Sequence, residues 1–161
     1  VQPADYDGGD PAELEKGPSA DYGAQGAFAR DNYTLIQMLT YAIQDEHLAE
    51  AEYIDVLERH GDVMPFRNIV HAERRHIEML EPFFDECGSP VPPNEGRLHV
   101  IPTETVQEAI EACIEGEVSN IAMYELFLEQ PDVPEDVREV FSSLKSASEQ
   151  HLAAFRRNLA D

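Results

Sequence analysis

Residues 46–53, Glu-His-Leu-Ala-Glu-Ala-Glu-Tyr, and residues 117–124, Glu-Val-Ser-Asn-Ile-Ala-Met-Tyr, are two copies of one pattern, and this repeat decides the fold. Each copy begins with Glu and ends with Tyr seven residues later. A His stands 30 residues beyond the first Glu, at His76, and 34 residues beyond the second, at His151. A repeat of this length predicts two similar helix pairs, each with a Glu-bearing helix followed by a His-bearing helix.

The two copies differ three positions before the His. Glu73-Arg74-Arg75-His76 is a complete Glu-x-x-His pair, whereas Ser148-Glu149-Gln150-His151 has Ser where the first copy has Glu. Helix pairs that present Glu on one helix and Glu-x-x-His on the next enclose two metal ions. The repeat therefore predicts a metal site, short of one carboxylate at Ser148, whose ligands are Glu46, Glu73, His76, Glu117 and His151.

Start and stop signals divide the chain into four predicted helices, because Gly ends helices, Pro starts them and Thr followed three residues later by Glu forms a capping box. They run from about Asp31, as N-cap, to His60; from about Pro65 to Cys87; from Thr105, with a capping box to Glu108, to about Gln130; and from Pro134 to the C-terminal region. The predicted fold class is all-α, with two antiparallel helix pairs joined by a long crossover connection through the Pro-rich residues 88–102.

Every predicted helix carries an apolar stripe that polar residues interrupt near its middle. The stripes follow the alternating spacings of three and four typical of a helix bundle. The interrupting residues are Glu46, Glu73, His76, Glu117, Asn120, Ser148 and His151. Burying unpaired carboxylates would cost several kcal/mol each, of the order of the whole stability of a domain. Arg74, Arg75, Arg156 and Arg157 fall off the stripes, so bound metal is the expected counter-charge. Taken singly, each of these Glu residues would be expected to face water.

Composition narrows the range of partners. With 11 Lys and Arg against 33 Asp and Glu, the net charge is −22, which argues against nucleic acid as a partner. No apolar run reaches the roughly 18 to 20 residues of a membrane span. Residues 1–25 are rich in Asp, Gly, Pro and Ala and are predicted to be an acidic disordered leader before a domain at 26–161. The start at Val1 fits an exported protein of the cell envelope or exterior that has lost a signal, and equally a trimmed cytoplasmic one.

Two segments of the chain resemble a known group of proteins. Residues 46–53 and 73–76 resemble the Glu-x-x-Ala-x-x-x-Tyr and Glu-x-x-His pattern of ferritin-like, especially rubrerythrin-like, di-iron proteins, and the resemblance covers residues 31–160. Phe66-Arg67-Asn68-Ile69 and residues 148–155 are similar to a ferritin-like family of unknown function that is itself described as di-metal. The resemblance implies a ferritin-like four-helix bundle.

The resemblance also implies a role for each polar residue. Glu46 and Glu117 would each be a terminal ligand of one ion, Glu73 would bridge the two ions, and His76 and His151 would each cap one. Tyr53 and Tyr124 would hydrogen-bond to the carboxylates, although packing in the core explains them equally well.

Ser148 departs from the family pattern, which has a second bridging carboxylate there. Glu149 is no substitute, because one step along a helix turns the side chain by about 100°. The expected outcomes are an asymmetric pair of ions, one ion, or an abandoned site. Asn120 would hydrogen-bond to whatever fills the gap or would be an ordinary core amide.

Two functions follow from these observations. The first is an oxidoreductase with two metal ions, iron or else Mn or Zn, that oxidises Fe(II) or reduces oxygen or peroxide. The alternative is a non-enzymatic metal-binding or structural bundle with a degenerate site. The expected partners are small molecules, and a homodimer is compatible with the sequence but not required by it. Cys87 and Cys113 are predicted to be free, because a crossover connection places them beyond the roughly 7 Å that a disulfide spans.

Overall fold

The computed structural model describes residues 20–159 of the chain. Its helices are α1 (Gly23–Phe28), α2 (Leu35–His60), α3 (Phe66–Glu86), α4 (Val106–Leu128) and α5 (Glu135–Asn158), with a 3-10 turn at Gly96–His99. Residues 20–159 contain no strand, so the all-α prediction is confirmed. None of these helices combines the length and the hydropathy needed to cross a membrane. The ferritin-like bundle with a crossover stays a prediction.

The start of α2 differs from the prediction. The N-cap is Thr34 rather than Asp31: its hydroxyl accepts a hydrogen bond from the Gln37 amide at 3.2 Å, and the Gln37 side chain accepts one from the Thr34 amide at 2.9 Å. This reciprocal capping box satisfies two amides that the first helical turn leaves free. At α4, Thr105 caps as predicted, but the Glu108 carboxylate accepts from the amide of Glu104 instead of completing a box.

The folded region begins before residue 26. Helix α1 lies against α2 and α4, and Tyr22, Ala24 and Ala27 are buried there. The predicted disordered leader of residues 1–25 therefore overlaps this helix, because Tyr22, Gly23 and Ala24 are buried in the described structure. Residues 1–19 of that leader lie outside the described residues.

Two apolar cores lie on either side of the polar residues of the stripes. One core contains Leu39 of α2, Leu80 of α3, Phe127 of α4 and Phe141 of α5. The other contains Tyr53, Phe66, Ile110 and Phe155 of the same four helices. Helix α2 packs on α3 and on α4, and α5 packs on α3 and on α4. Each long helix thus passes from one core to the other through the polar layer.

Both cysteines are free, as predicted; Cys87 is exposed at the end of α3 and Cys113 is buried in α4.

The 3-10 turn packs directly on the backbone of α2 at Gly96. A Cβ at this position would lie 2.3 Å from the carbonyl oxygen of His47 and 2.7 Å from its carbonyl carbon. Because backbone atoms cannot move aside as a flexible side chain can, only glycine fits this contact. The long connection between α3 and α4 is held against the middle of α2 in this way.

Gly96→Ala is expected to lower the free energy of unfolding by about 1–3 kcal/mol, since it overpacks a backbone contact. The matched control is Gly116→Ala in α4, where a Cβ meets its nearest atom, Glu52 Oε2, at 3.8 Å. Removing a glycine from a helix interior stabilises by up to about 1 kcal/mol, so this variant should be at least as stable as the parent. Urea unfolding of the metal-free proteins measures both, and equal midpoints for the two variants would contradict the expectation.

Candidate metal centre

Five buried side chains meet between the two apolar cores and form two groups with the arrangement of metal ligands. Glu46, Glu73 and His76 form one group, and Glu73, Glu117 and His151 form the other. Within each group one ligand atom per residue lies within 4.8 Å of the others. All five residues are at least nine-tenths buried. Each of these groups can hold a metal ion, and the structure brings together all five ligands predicted from the repeat.

Glu73 belongs to both groups, and its two carboxylate oxygens face different imidazoles. Oε2 lies 3.4 Å from Nδ1 of His76, and Oε1 lies 3.0 Å from Nδ1 of His151. Glu46 Oε2 lies 3.2 Å from the same His76 nitrogen, and Glu117 Oε1 lies 3.4 Å from that of His151. One carboxylate at the centre thus joins two nearly equivalent halves.

The donor atoms fit a metal ion. Nδ1 of His151 is buried and makes no hydrogen bond, although two carboxylate oxygens lie close to it. A buried polar atom without a partner is uncommon, and an ion bound between imidazole nitrogen and carboxylate oxygens would satisfy it. The imidazoles of His76 and His151 lie nearly parallel, at 21°, with ring centroids 5.9 Å apart.

The pKa values of the clustered carboxylates and histidines depend on burial and on the contacts of these residues with one another. Burial alone would lower the pKa of His76, but its hydrogen bonds with Glu46 and Glu73 raise it to about 10. His151 is raised to a pKa of about 9 against burial, by Glu117 and Glu73. Burial, then repulsion from Glu73, raises the pKa of Glu46 to about 7. Burial would raise the pKa of Glu73, yet its close contacts with Glu46, His151 and His76 hold the pKa below its ordinary value.

Among residues 20–159, Glu46, Glu73 and Glu117 form ion pairs only with histidine. No arginine or lysine of this range pairs with them. Arg74 instead pairs with Glu50 at 2.5 Å on the outside of the helices. The other arginines assigned to the outer faces, Arg75, Arg156 and Arg157, are exposed.

The two tyrosines of the repeat hydrogen-bond to the carboxylates of the opposite copy. Tyr53 of α2 donates to Glu117 Oε1 of α4. Tyr124 of α4 donates to Glu46 Oε1 of α2 at 2.6 Å. Both rings are almost completely buried. Glu46 and Glu117 are therefore each oriented from across the helix interface, a contact that would tune a carboxylate acting as a metal ligand.

Ser148 and Asn120 form a hydrogen-bonded chain that leads away from the centre. Ser148 donates to Asn120 Oδ1 at 2.6 Å, and Asn120 Nδ2 donates to Asp45 Oδ2 at 2.7 Å. Asp45 Oδ1 in turn accepts from the Ala24 amide at 2.9 Å, at the start of α1. The Ser148 hydroxyl does not replace the carboxylate that the first copy of the repeat has at Glu73; it makes a neutral hydrogen bond with an amide.

Asp45 is a residue that the sequence analysis missed. Burial raises its pKa to about 7, although the Ala24 amide and Asn120 lower it. His47 and Glu50 are also buried off the predicted stripe. Burial also raises the pKa of Glu52 to about 8. Helix α2 is rich in acidic residues, and the positions of these buried residues in the sequence do not distinguish them from residues that face solvent.

A small cavity of about 30 Å³ lies at the centre. Its walls include Glu46, Glu73, Glu117, Asn120 and Ser148, and neither His76 nor His151 is among its described lining residues. The cavity therefore borders the carboxylates and Ser148 rather than the imidazoles.

Comparison with known proteins establishes the fold alone. No family model matches the chain, and no curated protein matches it either. Among solved structures, the chain is similar to hypothetical protein MJ0754 from Methanococcus jannaschii DSM 2661, with a TM-score of 0.68 and 20% sequence identity over 81% of this chain and 83% of that one. The observations together describe a helical protein with a group of buried carboxylates and histidines that can bind metal.

Proposed function

We propose that this protein is a ferritin-like metalloprotein that holds two ions, iron in the first instance, and uses them to oxidise Fe(II) or to reduce oxygen or peroxide. The observation that carries the proposal is Glu73, whose two oxygens face His76 and His151. A carboxylate shared in this way is the arrangement needed to bridge two ions. Mn and Zn accept the same donors, so the metal is decided by experiment.

The distribution of the cores supports the ferritin-like bundle. The N-terminal half of α2 and the C-terminal half of α3 share one core, as do the C-terminal half of α4 and the N-terminal half of α5. This pattern requires α2 and α3 to run antiparallel, and α4 and α5 likewise. Helix α3 ends in one core and α4 begins in the other, so residues 87–105 span the polar layer as a crossover would.

The chain's own residues have distinct roles in this proposal. Glu46 and His76 hold one ion, Glu117 and His151 hold the other, and Glu73 binds both. A redox-active ion held there would pass electrons between the two half-reactions: Fe(II) would give up electrons as it becomes Fe(III), and oxygen or peroxide would accept them. Tyr53 and Tyr124 fix the terminal carboxylates, and the apolar cores exclude water from both ends of the layer.

A second candidate function is a non-enzymatic bundle that binds metal with an incomplete site. The bond from Ser148 to Asn120 favours it, because that bond turns the hydroxyl away from the role of a ligand. Turnover separates the two: catalytic consumption of Fe(II) or peroxide supports the enzyme, and stoichiometric binding without turnover supports the alternative.

We expect close to two ions per chain after purification without chelators and reloading with Fe(II), Mn(II) or Zn(II). Glu73→Gln should lose both ions, because each group depends on this residue, with a fall in affinity of at least about tenfold. Glu78→Gln, an exposed position on the same helix, is the control and should bind like the parent. Elemental analysis gives the ratio. One ion per chain would indicate a mononuclear or structural site, and none would refute the proposed function.

Ser148→Glu should restore the missing carboxylate. Without metal it adds a buried charge and should lower the free energy of unfolding by about 1–3 kcal/mol. With Zn(II) it should tighten the weaker site at least about tenfold. Ser148→Ala removes only the bond to Asn120 and should leave the affinity for Zn(II) almost unchanged. Calorimetric titration of the three proteins measures this, and equal affinities for Ser148→Glu and Ser148→Ala would place residue 148 outside the site.

Metal binding should release about two to three protons per chain near neutral pH, because His76 and His151 carry protons there, Glu46 with its pKa of about 7 is partly protonated, and all three ligate only without the proton. The folded-state pKa values of His76 and His151 lie above the ordinary 6.5, at about 10 and about 9. The protonated His76 and His151 therefore stabilise the metal-free protein fully below pH 6.5, and this stabilisation is lost as the pH rises through about 9 to about 10. The affinity for metal should increase over the same interval.

An indicator dye in weak buffer counts the protons released on adding Zn(II), and urea unfolding at several pH values follows the stability. His151→Gln should release about one proton fewer. Release of none by the parent protein would mean that the imidazoles are not ligands.

A further inference from the structure

A second and much larger cavity adjoins the metal pocket. It has a volume of about 670 Å³ and lies among α1, α2, α4 and residues 99–103 of the connection. Five residues line both this chamber and the small central cavity: Asp45, Leu48, Glu52, Cys113 and Gly116. The chamber and the small central cavity therefore share one wall.

The size of the chamber exceeds what oxygen, peroxide or a metal ion requires. Cavities of roughly 300–1,000 Å³ are typical of sites for organic ligands. Its walls are largely apolar, with Leu48, Val56, Val100 and Ala109 among them. Ile101 at its rim is 85% exposed, which is unusual for a large apolar side chain unless something covers it.

The ionisable side chains of the chamber are mostly acidic: Asp45, Glu52, Asp55 and Glu115 line it, and its described walls contain no Lys or Arg. Burial raises the pKa of Asp45 to about 7 and that of Glu52 to about 8, and Asp55 pairs with Arg59, so fewer than four full negative charges face the chamber near neutral pH. The ring of His99 stacks on Tyr22 with centroids 3.7 Å apart, and burial lowers its pKa, so it adds no positive charge near neutral pH. An anionic molecule would be repelled. The chain's own residues 1–19 fit this charge poorly, since they contain five carboxylates and one lysine.

We propose that the chamber binds a small apolar organic molecule, neutral or positively charged, and presents it to the metal pocket. Binding to the chamber is independent of the metal, while presentation rests on the proposed function. The substrate class of the site is then an organic amine or a neutral apolar compound, which enters through the wall formed by Glu52, Cys113 and Gly116.

Two dyes that differ by a single sulfonate test the binding. N-phenyl-1-naphthylamine is neutral and fluoresces in apolar surroundings, and 8-anilinonaphthalene-1-sulfonate is its anionic counterpart. The full-length metal-free protein should bind one neutral dye per chain in a saturable way and the anion at least about tenfold more weakly. Failure to bind the neutral dye, or equal binding of both dyes, overturns the proposal.

A pair of variants on α4 locates the bound dye. Ala112 lines the chamber and is exposed, so Ala112→Trp should fill the space and weaken binding at least about tenfold. Val118, 46% exposed on the same helix, lines neither cavity, and Val118→Trp should bind like the parent. The chain contains no other Trp, so the fluorescence of the new residue reports folding in both variants. Unchanged dye binding in a folded Ala112→Trp variant would show that the dye binds elsewhere and would refute the chamber as its binding site.

Presentation to the metal is tested with loaded protein. Paramagnetic Mn(II) in the site should strongly accelerate the proton relaxation of the bound neutral dye, and Zn(II) should not. Equal relaxation in the two loaded proteins refutes presentation. If the protein takes up neither ion, the proposed function fails. The dye titration of the metal-free protein still tests whether the chamber binds a neutral apolar molecule.

Discussion

Glu73 is the carboxylate on which the centre of this protein depends. It is 2% exposed, and it is the only residue of the described chain that both ligand groups contain. A buried carboxylate needs a nearby positive charge, and the arginines of the neighbouring helices face outward. In the metal-free protein the pKa values of His76 and His151, raised to about 10 and about 9, favour protonated imidazoles, which would supply this charge beside Glu73. These protons would thus provide the positive charge that two bound metal ions would otherwise provide.

The aromatic residues of the cores position the carboxylates around Glu73. Tyr53 packs with Phe66 and Phe155 in one core, and Tyr124 packs with Phe127 and Phe141 in the other. Each hydroxyl then reaches across the interface to the Glu of the other copy of the repeat. The spacing of seven residues explains this exchange: two helical turns carry the ring into the core while the hydroxyl remains level with the layer. The same two tyrosines consequently pack in the cores and orient the carboxylates, so a change in core packing would also move the carboxylates.

Periodicity could predict the long helices and the residues on their stripes, because both are local properties of the chain. It could not predict the link from Asp45 to the amide of Ala24, which joins residues 21 positions apart and makes α1 part of the fold. Asp45 stands directly beside Glu46 in an acidic stretch, so nothing in its spacing marks it as buried. The misplaced N-cap is a different kind of error. Thr34 with Gln37 has the signature of a capping box, whereas Asp31 has Thr, not Glu or Gln, three residues later.

Ser148, where the repeat lacks a carboxylate, borders the small cavity that shares a wall with the chamber. Ser148 and Asn120 line the small cavity, and Asp45, the next member of their hydrogen-bonded chain, also lines the large chamber. A glutamate at position 148 would extend into this space and add a fourth negative charge. The small neutral serine leaves room between the carboxylates and the chamber instead. The departure from the repeat is therefore better explained as the means by which an organic molecule approaches the site than as decay, because decay would not account for a chamber against the same wall.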